Sequence, residues 1–258
     1  MNTAVSWTHH YAGDRALVLE FGQEINSVIV DQIVALDRLV ASERSSGRLT
    51  GITETIPTFR SLAIMYDPLL VHPEELLEEL RLLNHLPDTG SLRQGKQWLL
   101  PVKYGGNAGP DLAEVAQLTD LDEQQVIQLH EDCQFTVYML GFLPGFAFLG
   151  DTPKALHLPR RKEPRLRVPA GSVAIALQLT GVYPWDSPGG WHILGNCPVP
   201  LFDAELDPPA LLKAGDLVSF KAVDDEAHRA LEEQVATGDF DRNSLQQAST
   251  EGSAQHAN

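Results

Sequence analysis

The stretch from residue 15 to residue 48 switches from a strand-like to a helix-like pattern of apolar residues. The apolar run ALVLEF predicts a strand that ends at Gly22. A helix follows, because apolar side chains then recur at spacings of three and four and would line one face. Asn26 or Ser27 can cap its first turn. The apolar positions of this helix are Ile29, Ile33, Leu36 and Val40.

Four further elements complete an ordered series up to residue 104. Two strands are predicted over residues 49–56 and 61–66, separated by Pro57. The run PEELLEELRLLNHL predicts a helix, with proline at its start, acidic residues in its first turn and leucines at helical spacing. The run WLLPVKY supplies a last strand. The order β-α-β-β-α-β is that of the split βαβ unit, so residues 1–104 are predicted to form a ferredoxin-like α+β domain.

Residues 111–132 carry the pattern of two short amphipathic helices, DLAEVAQLT and DEQQVIQLHED. Asp111 and Asp122 are placed to cap their first turns. Two helices at this spacing are similar to a helix-turn-helix. The second helix of such a motif presents basic residues to DNA, whereas this one carries Glu123 and Glu131, which argues against a DNA-binding motif.

From Phe135 onward the chain is rich in strand signals and turn residues. Between Gly141 and Pro200 it holds eight glycines and nine of its 17 prolines, which excludes long helices. The short apolar or alternating runs FTVYML, SVAIAL, HIL and DLVSFKAV lie between these turns. The spacing favours a closed or nearly closed β-barrel over an α/β sheet, so residues 105–223 are predicted to form a β-barrel domain with a short helical lead-in.

Residues 224–258 form an acidic tail. The tail has eight acidic and two basic residues and ends in a run rich in Ser, Gln and Ala. Because this composition offers few apolar residues for a core, the tail is predicted to be disordered beyond one short helix.

Charge and cysteine content restrict the class of protein. The formal net charge is -16 and the sequence pI is about 4.8, so like-charge repulsion disfavours nucleic acid and anionic membranes as partners. The amino-terminal segment lacks the pattern of a secretory signal, and no apolar run is long enough for a membrane span, so we expect a cytoplasmic protein. Cys133 and Cys197 suggest neither a disulfide framework nor a zinc site, and no cluster has metal-ligand spacing.

The run GFLPGFAFLG, residues 141–150, is the first candidate for a ligand site. Its three glycines allow a backbone to approach a ligand closely, and its three phenylalanines can exclude water. A wide turn with a purely structural role explains the same pattern.

The run RRKEPRLRVPAGS is the second candidate. It holds five of the chain's 19 positive charges within eight residues, and arginine binds carboxylate or phosphate through a planar fork of donors. On a strand, Arg165 and Arg167 would point to the same face. The alternative is a solvated loop whose charges neutralise acidic neighbours.

The run TGVYPWDSPGGWHILG, residues 180–195, is the third candidate. It combines acid, base, hydroxyl and backbone N–H groups that could stabilise developing negative charge. Its aromatic residues are also ordinary packing residues. His130 and His192 are ambiguous in the same way, since a lone histidine is often a satisfied core residue.

The segments YMLGFLPGFAFLG, PRLRVPAGSVAI, TGVYP and SPGGWHILG follow one another in this order, and the chain therefore resembles one family. That family includes the B subunit of 5-oxoprolinase, the first of the allophanate hydrolase subunits, the matching part of urea carboxylase and the sporulation kinase inhibitor KipI. The similarity extends over residues 11–223. It implies a ferredoxin-like first domain and a cyclophilin-like β-barrel second domain, so the expected fold class is α+β.

The resemblance also implies an activity and partners. The implied reaction is the ATP-dependent hydrolysis of the 5-oxo-L-proline lactam to L-glutamate. Members of the family work with a KipA-type carboxyltransferase subunit, also written PxpC-type, and with a PxpA-type lactam hydrolase subunit. No typical phosphate loop is present, so we expect ATP, with Mg²⁺, in an atypical site or one shared with a partner subunit.

The resemblance assigns roles to individual residues. His130 is the expected acid-base catalyst, and Tyr183 is expected beside the reacting amide. The remaining matched residues are expected to bind substrate: Gly141, Pro144, Gly145, Arg165, Arg167, Ser172, Ser187, Gly189, Gly190 and Trp191.

One segment departs from the family pattern. Leu177, Gln178 and Leu179 stand where the family carries a Gly-Gly-Gln run, which would narrow a pocket beside them. Two alternatives to a 5-oxoprolinase subunit therefore stay open. One is a histidine-kinase inhibitor of KipI type, and the other is a subunit of an allophanate hydrolase or urea carboxylase-type enzyme.

Overall fold

The chain divides into two compact units, residues 1–94 and residues 95–258. The computed structural model describes residues 6–83 and 95–247. Both units combine helices with sheets in which most neighbouring strands are antiparallel, which confirms the α+β class. The elements of the first unit are β1 (Thr8–Tyr11), β2 (Ala16–Glu20), α1 (Ser27–Ser45), β3 (Ile52–Pro57), β4 (Ser61–Tyr66) and α2 (Pro73–Leu83).

The first unit is a four-stranded antiparallel sheet with the order β1-β2-β4-β3 and two helices. Apolar side chains of β2 and β4 alternate inward and pack against both helices, with Leu17, Leu19 and Ile64 fully buried. Asn26 caps α1 as predicted, since its side chain accepts a hydrogen bond of 3.0 Å from the N–H of Ile29.

The predicted last strand of the first domain requires a correction. WLLPVKY forms β5 (Gln97–Tyr104) in the second unit, and the fourth strand of the first sheet is β1, from the amino-terminal side. The boundary therefore falls after residue 94 rather than after residue 104. An isolated apolar strand does not reveal which sheet it joins, because its pattern specifies burial and not the partner strand.

The second unit contains β5 and nine further strands, together with three α-helices, within the described residues. Besides β5, its elements are α3 (Leu112–Thr119), α4 (Glu123–Glu131), β6 (Phe135–Leu140), β7 (Ala147–Gly150), β8 (Arg165–Val168), β9 (Ser172–Ala176), β10 (Leu179–Val182), β11 (Ser187–Gly189), β12 (His192–Asn196), β13 (Leu217–Ala222), α5 (Asp225–Thr237) and β14 (Gln246–Gln247). Seven of its strands close into a barrel with the order β12-β9-β10-β7-β6-β13-β5, and β12 pairs with β5 to complete it. A closed barrel of this kind agrees with the predicted second domain.

The tail is ordered further than predicted. Helix α5 covers 13 residues, and the side chain of its N-cap, Asp224, accepts a hydrogen bond from the N–H of Ala227. Beyond it, the guanidinium of Arg242 donates to the carbonyls of Pro208 and Pro209, and β14 pairs with β5. These contacts join residues far apart in sequence, so composition alone could not predict them. The predicted disorder of residues 248–258 concerns a segment outside the described residues.

None of the helices in the described ranges, 6–83 and 95–247, is long and apolar enough to cross a membrane.

Asp216 fixes the start of β5 to the loop that leads into β13. Its buried carboxylate accepts hydrogen bonds from the N–H of Lys96 at 2.9 Å, the indole Nε1–H of Trp98 at 3.0 Å and the N–H of Lys213 at 3.0 Å. Hydrogen bonds to a charged acceptor contribute more than neutral ones, so this carboxylate holds one seam of the barrel.

We expect Asp216→Asn to lower the free energy of unfolding by about 1–3 kcal/mol, because an amide nitrogen cannot accept these bonds. Urea denaturation followed by tryptophan fluorescence measures the change. Asp203→Asn is the matched control, since the carboxylate of Asp203 accepts only from the N–H of Glu205 in the described part of the chain. Equal losses in the two variants would contradict the role of Asp216.

Candidate functional site

A pocket of about 320 Å³ in the second unit brings together residues from all three candidate segments. The GFLPGFAFLG run contributes phenylalanines, the arginine-rich run contributes two arginines, and the SPGGW run contributes two glycines and a tryptophan. The lining residues are Phe142, Phe146, Phe148, Arg160, Arg161, Pro164, Tyr183, Pro188, Gly189, Gly190 and Trp191. We call this cavity the aromatic pocket.

Phe146 is the centre of the aromatic wall. Its ring centroid lies 5.1 Å from that of Tyr183 and 5.8 Å from that of Trp191, with nearly perpendicular planes in both pairs. Phe148 packs against Phe146 at 4.7 Å. Edge-to-face packing of this kind fixes the rings in place and keeps one side of the pocket apolar.

Three of the predicted site residues belong to the turn that carries these rings. The N–H of Gly141 donates to the carbonyl of Phe146, and the carbonyl of Pro144 accepts a 3.0 Å bond from Trp185 Nε1. Gly145 has φ +80°, and a Cβ there would collide with the side chain of Phe202. Gly141, Pro144 and Gly145 therefore shape the turn, and none of them lines the aromatic pocket.

Phe142 occupies the mouth of the pocket in an unusual conformation. It has φ +69°, a region in which bulky side chains are rare, and its side chain is 65% exposed. Strained backbone of this kind is concentrated at functional sites, since the surrounding turn must hold it in place.

Tyr183 lies at the inner end of the pocket, where it is buried. Burial raises the pKa of its phenol to about 12, and the nearby Arg160 opposes this shift only in part. The hydroxyl is therefore neutral at physiological pH and acts as a hydrogen-bond donor rather than as a base. Gly189 keeps it accessible, because a Cβ there would lie 2.5 Å from Tyr183 Oη.

Arg165 does not face the pocket, which corrects the predicted anion clamp. Its guanidinium makes a two-point contact with the buried carboxylate of Asp111, at 2.6 and 2.9 Å. Arg161 donates to the same carboxylate at 3.0 Å and to Glu114 at 2.5 Å. A buried charge must be paired, and Asp111 uses both arginines for this purpose.

Arg167 is directed away from the pocket as well. Its side chain is 77% exposed, and its Nε–H donates to Asp186 at 2.6 Å. The N–H of Ala170 and that contact lower the pKa of the Asp186 carboxyl. The prediction that Arg165 and Arg167 form one clamp is therefore wrong: strand β8 places them among different acidic partners.

Arg160 is the pocket cation that the sequence pattern does not single out. It lines the pocket, and none of the described residues offers it a carboxylate partner. The arginine-rich run is evident in the sequence, but strand alternation favours Arg165 and Arg167. Arg160 differs from the other arginines of the run because each of them pairs with an acidic side chain. These pairs can be identified only in the folded structure.

The two predicted serines are buried, and neither lines the aromatic pocket. The carbonyl of Ser172 accepts a hydrogen bond from the N–H of Tyr183. Ser172 itself lines a different cavity, together with Lys103 and Asn196. Ser187 is on β11, and its buried Oγ has no hydrogen-bond partner in the part of the chain that the structure describes. Gly189, Gly190 and Trp191 line the aromatic pocket, and their predicted role in substrate binding stays a prediction.

His130 is a core residue, which corrects its predicted role as acid-base catalyst. Both ring nitrogens are used, Nδ1 with Tyr104 Oη at 2.8 Å and Nε2 with Thr180 Oγ1 at 2.9 Å. The ring stacks on Phe220 at 4.6 Å and is fully buried. Burial lowers its pKa to about 3, so the imidazole is neutral at physiological pH. His130 does not line the aromatic pocket.

The segment that departs from the expected family pattern, residues 177–179, lies at the tip of the β9–β10 hairpin. Leu177 has φ +57°, a backbone conformation that glycine adopts most readily, and its side chain is half exposed. None of Leu177, Gln178 and Leu179 lines the aromatic pocket. The expected narrowing of the pocket by these residues therefore does not occur.

The pocket offers binding groups rather than a complete set of catalytic groups. Arg160 supplies a positive charge, Tyr183 a neutral donor and the aromatic rings an apolar wall. Its lining contains no carboxylate or imidazole, and no cluster of three or more potential metal ligands occurs within the described residues. The arrangement can bind a small anionic molecule and polarise it.

Comparison with known proteins identifies relatives that match most of the chain. A family model described as carboxyltransferase domain, subdomain C and D, matches residues 7–212. The B subunit of 5-oxoprolinase from Bacillus subtilis (strain 168) is 39% identical over 234 residues, which covers 86% of this chain and 95% of that protein. The protein of the same name from Escherichia coli O157:H7 is 39% identical over 211 residues, covering 81% of this chain and 92% of that one. A crystal structure of TTHA0988 is 37% identical with a TM-score of 0.69, and the match covers 81% of this chain but 40% of that chain.

Asp111→Asn should destabilise the protein by about 3 kcal/mol, because it leaves two guanidinium groups without their buried carboxylate. Urea denaturation measures this loss. Glu114→Gln is the matched control: that carboxylate is half exposed and, among the described residues, contacts Arg161 alone, so we expect a change below about 1 kcal/mol. An Asp111→Asn variant as stable as Glu114→Gln would show that the buried network is not needed.

His130 should make stability depend on pH. Its folded pKa of about 3 lies below the unfolded value of 6.5, so only the unfolded chain binds a proton between these values. Stability is therefore fully present above pH 6.5 and falls as the pH drops toward 3, by at most about 1.4 kcal/mol per pH unit.

The matched variant is His130→Gln, which cannot titrate. The difference in free energy of unfolding between wild type and variant should shrink from about pH 7 to about pH 5. A difference that stays constant over this interval would mean that His130 is not a buried neutral imidazole.

Proposed function

The chain belongs to the carboxyltransferase domain, subdomain C and D family, and we propose that it is the B subunit of an ATP-dependent 5-oxoprolinase. In this role it takes part in the hydrolysis of the lactam of 5-oxo-L-proline to L-glutamate. The observation that carries the proposal is the near full-length match to bacterial proteins of that name. These relatives favour this enzyme over the kinase-inhibitor and urea carboxylase-type alternatives.

The aromatic pocket supports the proposal through its size and chemistry. Ligand pockets range from roughly 300 to 1,000 Å³, so this one suits a single small ring rather than a nucleotide. Lactam opening adds water across the amide bond and leaves a carboxylate and an amine. We propose that the neutral Tyr183 hydroxyl donates to the amide oxygen, where negative charge develops.

ATP would make this reaction favourable by activating the amide oxygen, so that the ring carbon becomes a better electrophile. The described residues do not fit a magnesium nucleotide: they include no cluster of three metal-ligating side chains, and the pocket holds a single guanidinium without a carboxylate partner. We therefore propose that partner subunits supply most of the ligands for ATP and Mg²⁺.

The proposed partners are a KipA-type carboxyltransferase subunit and a PxpA-type lactam hydrolase subunit. Because the pocket has no general base, a partner must bring the group that activates water. An ATP-consuming assembly of this kind would work in the cytoplasm, where ATP is available.

The test is 5-oxo-L-proline-dependent release of ADP, measured for this chain alone and for its mixture with the subunits encoded next to it. We expect release only in the full mixture. Tyr183→Phe should lower the turnover number by at least about tenfold, because the donor to the amide oxygen is lost. Tyr138→Phe is the matched control, since Tyr138 is buried elsewhere and bonds Asp151. No turnover in any mixture would contradict the proposed function.

A further inference from the structure

The arginine-rich segment distributes its charges unevenly. Arg161 and Arg165 are neutralised by Asp111 and Glu114, and Arg167 is neutralised by Asp186. Arg160 faces the aromatic pocket and has no carboxylate partner among residues 6–83 and 95–247. In a chain with a net charge of -16, an arginine without a carboxylate partner at a pocket is a site for an anion.

The field of Arg160 reaches the inner end of the pocket. The positive charge of Arg160 favours the ionised form of the Tyr183 phenol, so it acts to lower the pKa of that group, against the larger effect of burial. The side chain of Tyr183 is almost completely buried, and the residue lines the pocket. A neutral phenol hydroxyl donates a hydrogen bond, so a polar ligand group is favoured beside it.

The rest of the pocket restricts the ligand to a compact and largely apolar body. Phe146, Phe148 and Trp191 form one wall, and Pro164 and Pro188 are also in the lining. The glycines of the SPGGW run leave the space beside the tyrosine open, since a side chain at the first of them would collide with the hydroxyl. One guanidinium balances one negative charge, which favours a carboxylate over a phosphate dianion.

We propose that Arg160 is the specificity-determining residue of this pocket and binds the carboxylate of a small cyclic acid whose ring lies against Trp191 and Phe146. The identity of that acid as 5-oxo-L-proline rests on the proposed function. The carboxylate requirement rests on the pocket alone. Arg160 is thus a binding residue, and the reacting amide is placed toward Tyr183.

The experiment compares binding of three probes to the full-length chain, alone and in the reconstituted assembly, by ligand-observed NMR. The probes are 5-oxo-L-proline, its uncharged analogue 2-pyrrolidinone and inorganic phosphate. Arg160→Gln removes the charge and keeps a polar side chain, and Arg160→Lys keeps the charge. The matched control is Lys162→Gln, which removes a neighbouring exposed charge that does not line the pocket.

We expect Arg160→Gln to weaken 5-oxo-L-proline binding by at least about tenfold and to leave the weak binding of 2-pyrrolidinone unchanged. Arg160→Lys should restore part of the affinity, and Lys162→Gln should match wild type. Arg160 is exposed, so the variants should fold, and their melting curves check this.

Three results would overturn the proposal. They are equal binding of 5-oxo-L-proline by wild type and Arg160→Gln, a preference of wild type for 2-pyrrolidinone or phosphate, and no binding of 5-oxo-L-proline to chain or assembly. The two proposals fail separately. Arg160-dependent binding without turnover would refute the proposed reaction alone, whereas turnover that is insensitive to Arg160→Gln would refute the role of Arg160 alone.

Discussion

The buried carboxylate of Asp111 is the contact on which the candidate site depends. It receives hydrogen bonds from two arginines and from the N–H of Ile193 at 2.7 Å, so it joins the arginine-rich segment to barrel strand β12. A carboxylate taken out of water must be compensated, and Asp111 is compensated by charges that would otherwise be available to a ligand. Because of this pairing, Arg160 is the cation of the pocket lining that has no carboxylate partner within the described residues.

The barrel explains how distant sequence segments form one pocket. Phe146, Tyr183 and Trp191 lie in three separate loops or strand ends, and their rings meet edge to face. Glycines at the crowded positions allow the approach, as Gly189 does beside the Tyr183 hydroxyl. The pocket is therefore preformed by packing, and its chemistry depends on which charges remain unpaired.

Local pattern is sufficient to predict most elements but not their partners. The periodicity of α1, the cap at Asn26 and the turn-rich barrel segment all follow from residues near each other in sequence. The assignment of β5 to the barrel does not, because any sheet with an open edge can accept an apolar strand. The same limit applies to the site. The motifs contain the pocket residues Tyr183, Gly189, Gly190 and Trp191. The side-chain hydrogen bonds of Asp111 and His130, in contrast, reach residues 26 or more positions away.

The position of bound 5-oxo-L-proline in the reconstituted assembly tests the central claim most directly, and crystallography or electron cryomicroscopy can determine it. The account predicts the ligand in the aromatic pocket of this chain, with its carboxylate on Arg160 and its ring against Trp191. A ligand bound wholly within another subunit, with the aromatic pocket not in contact with it, would contradict the account.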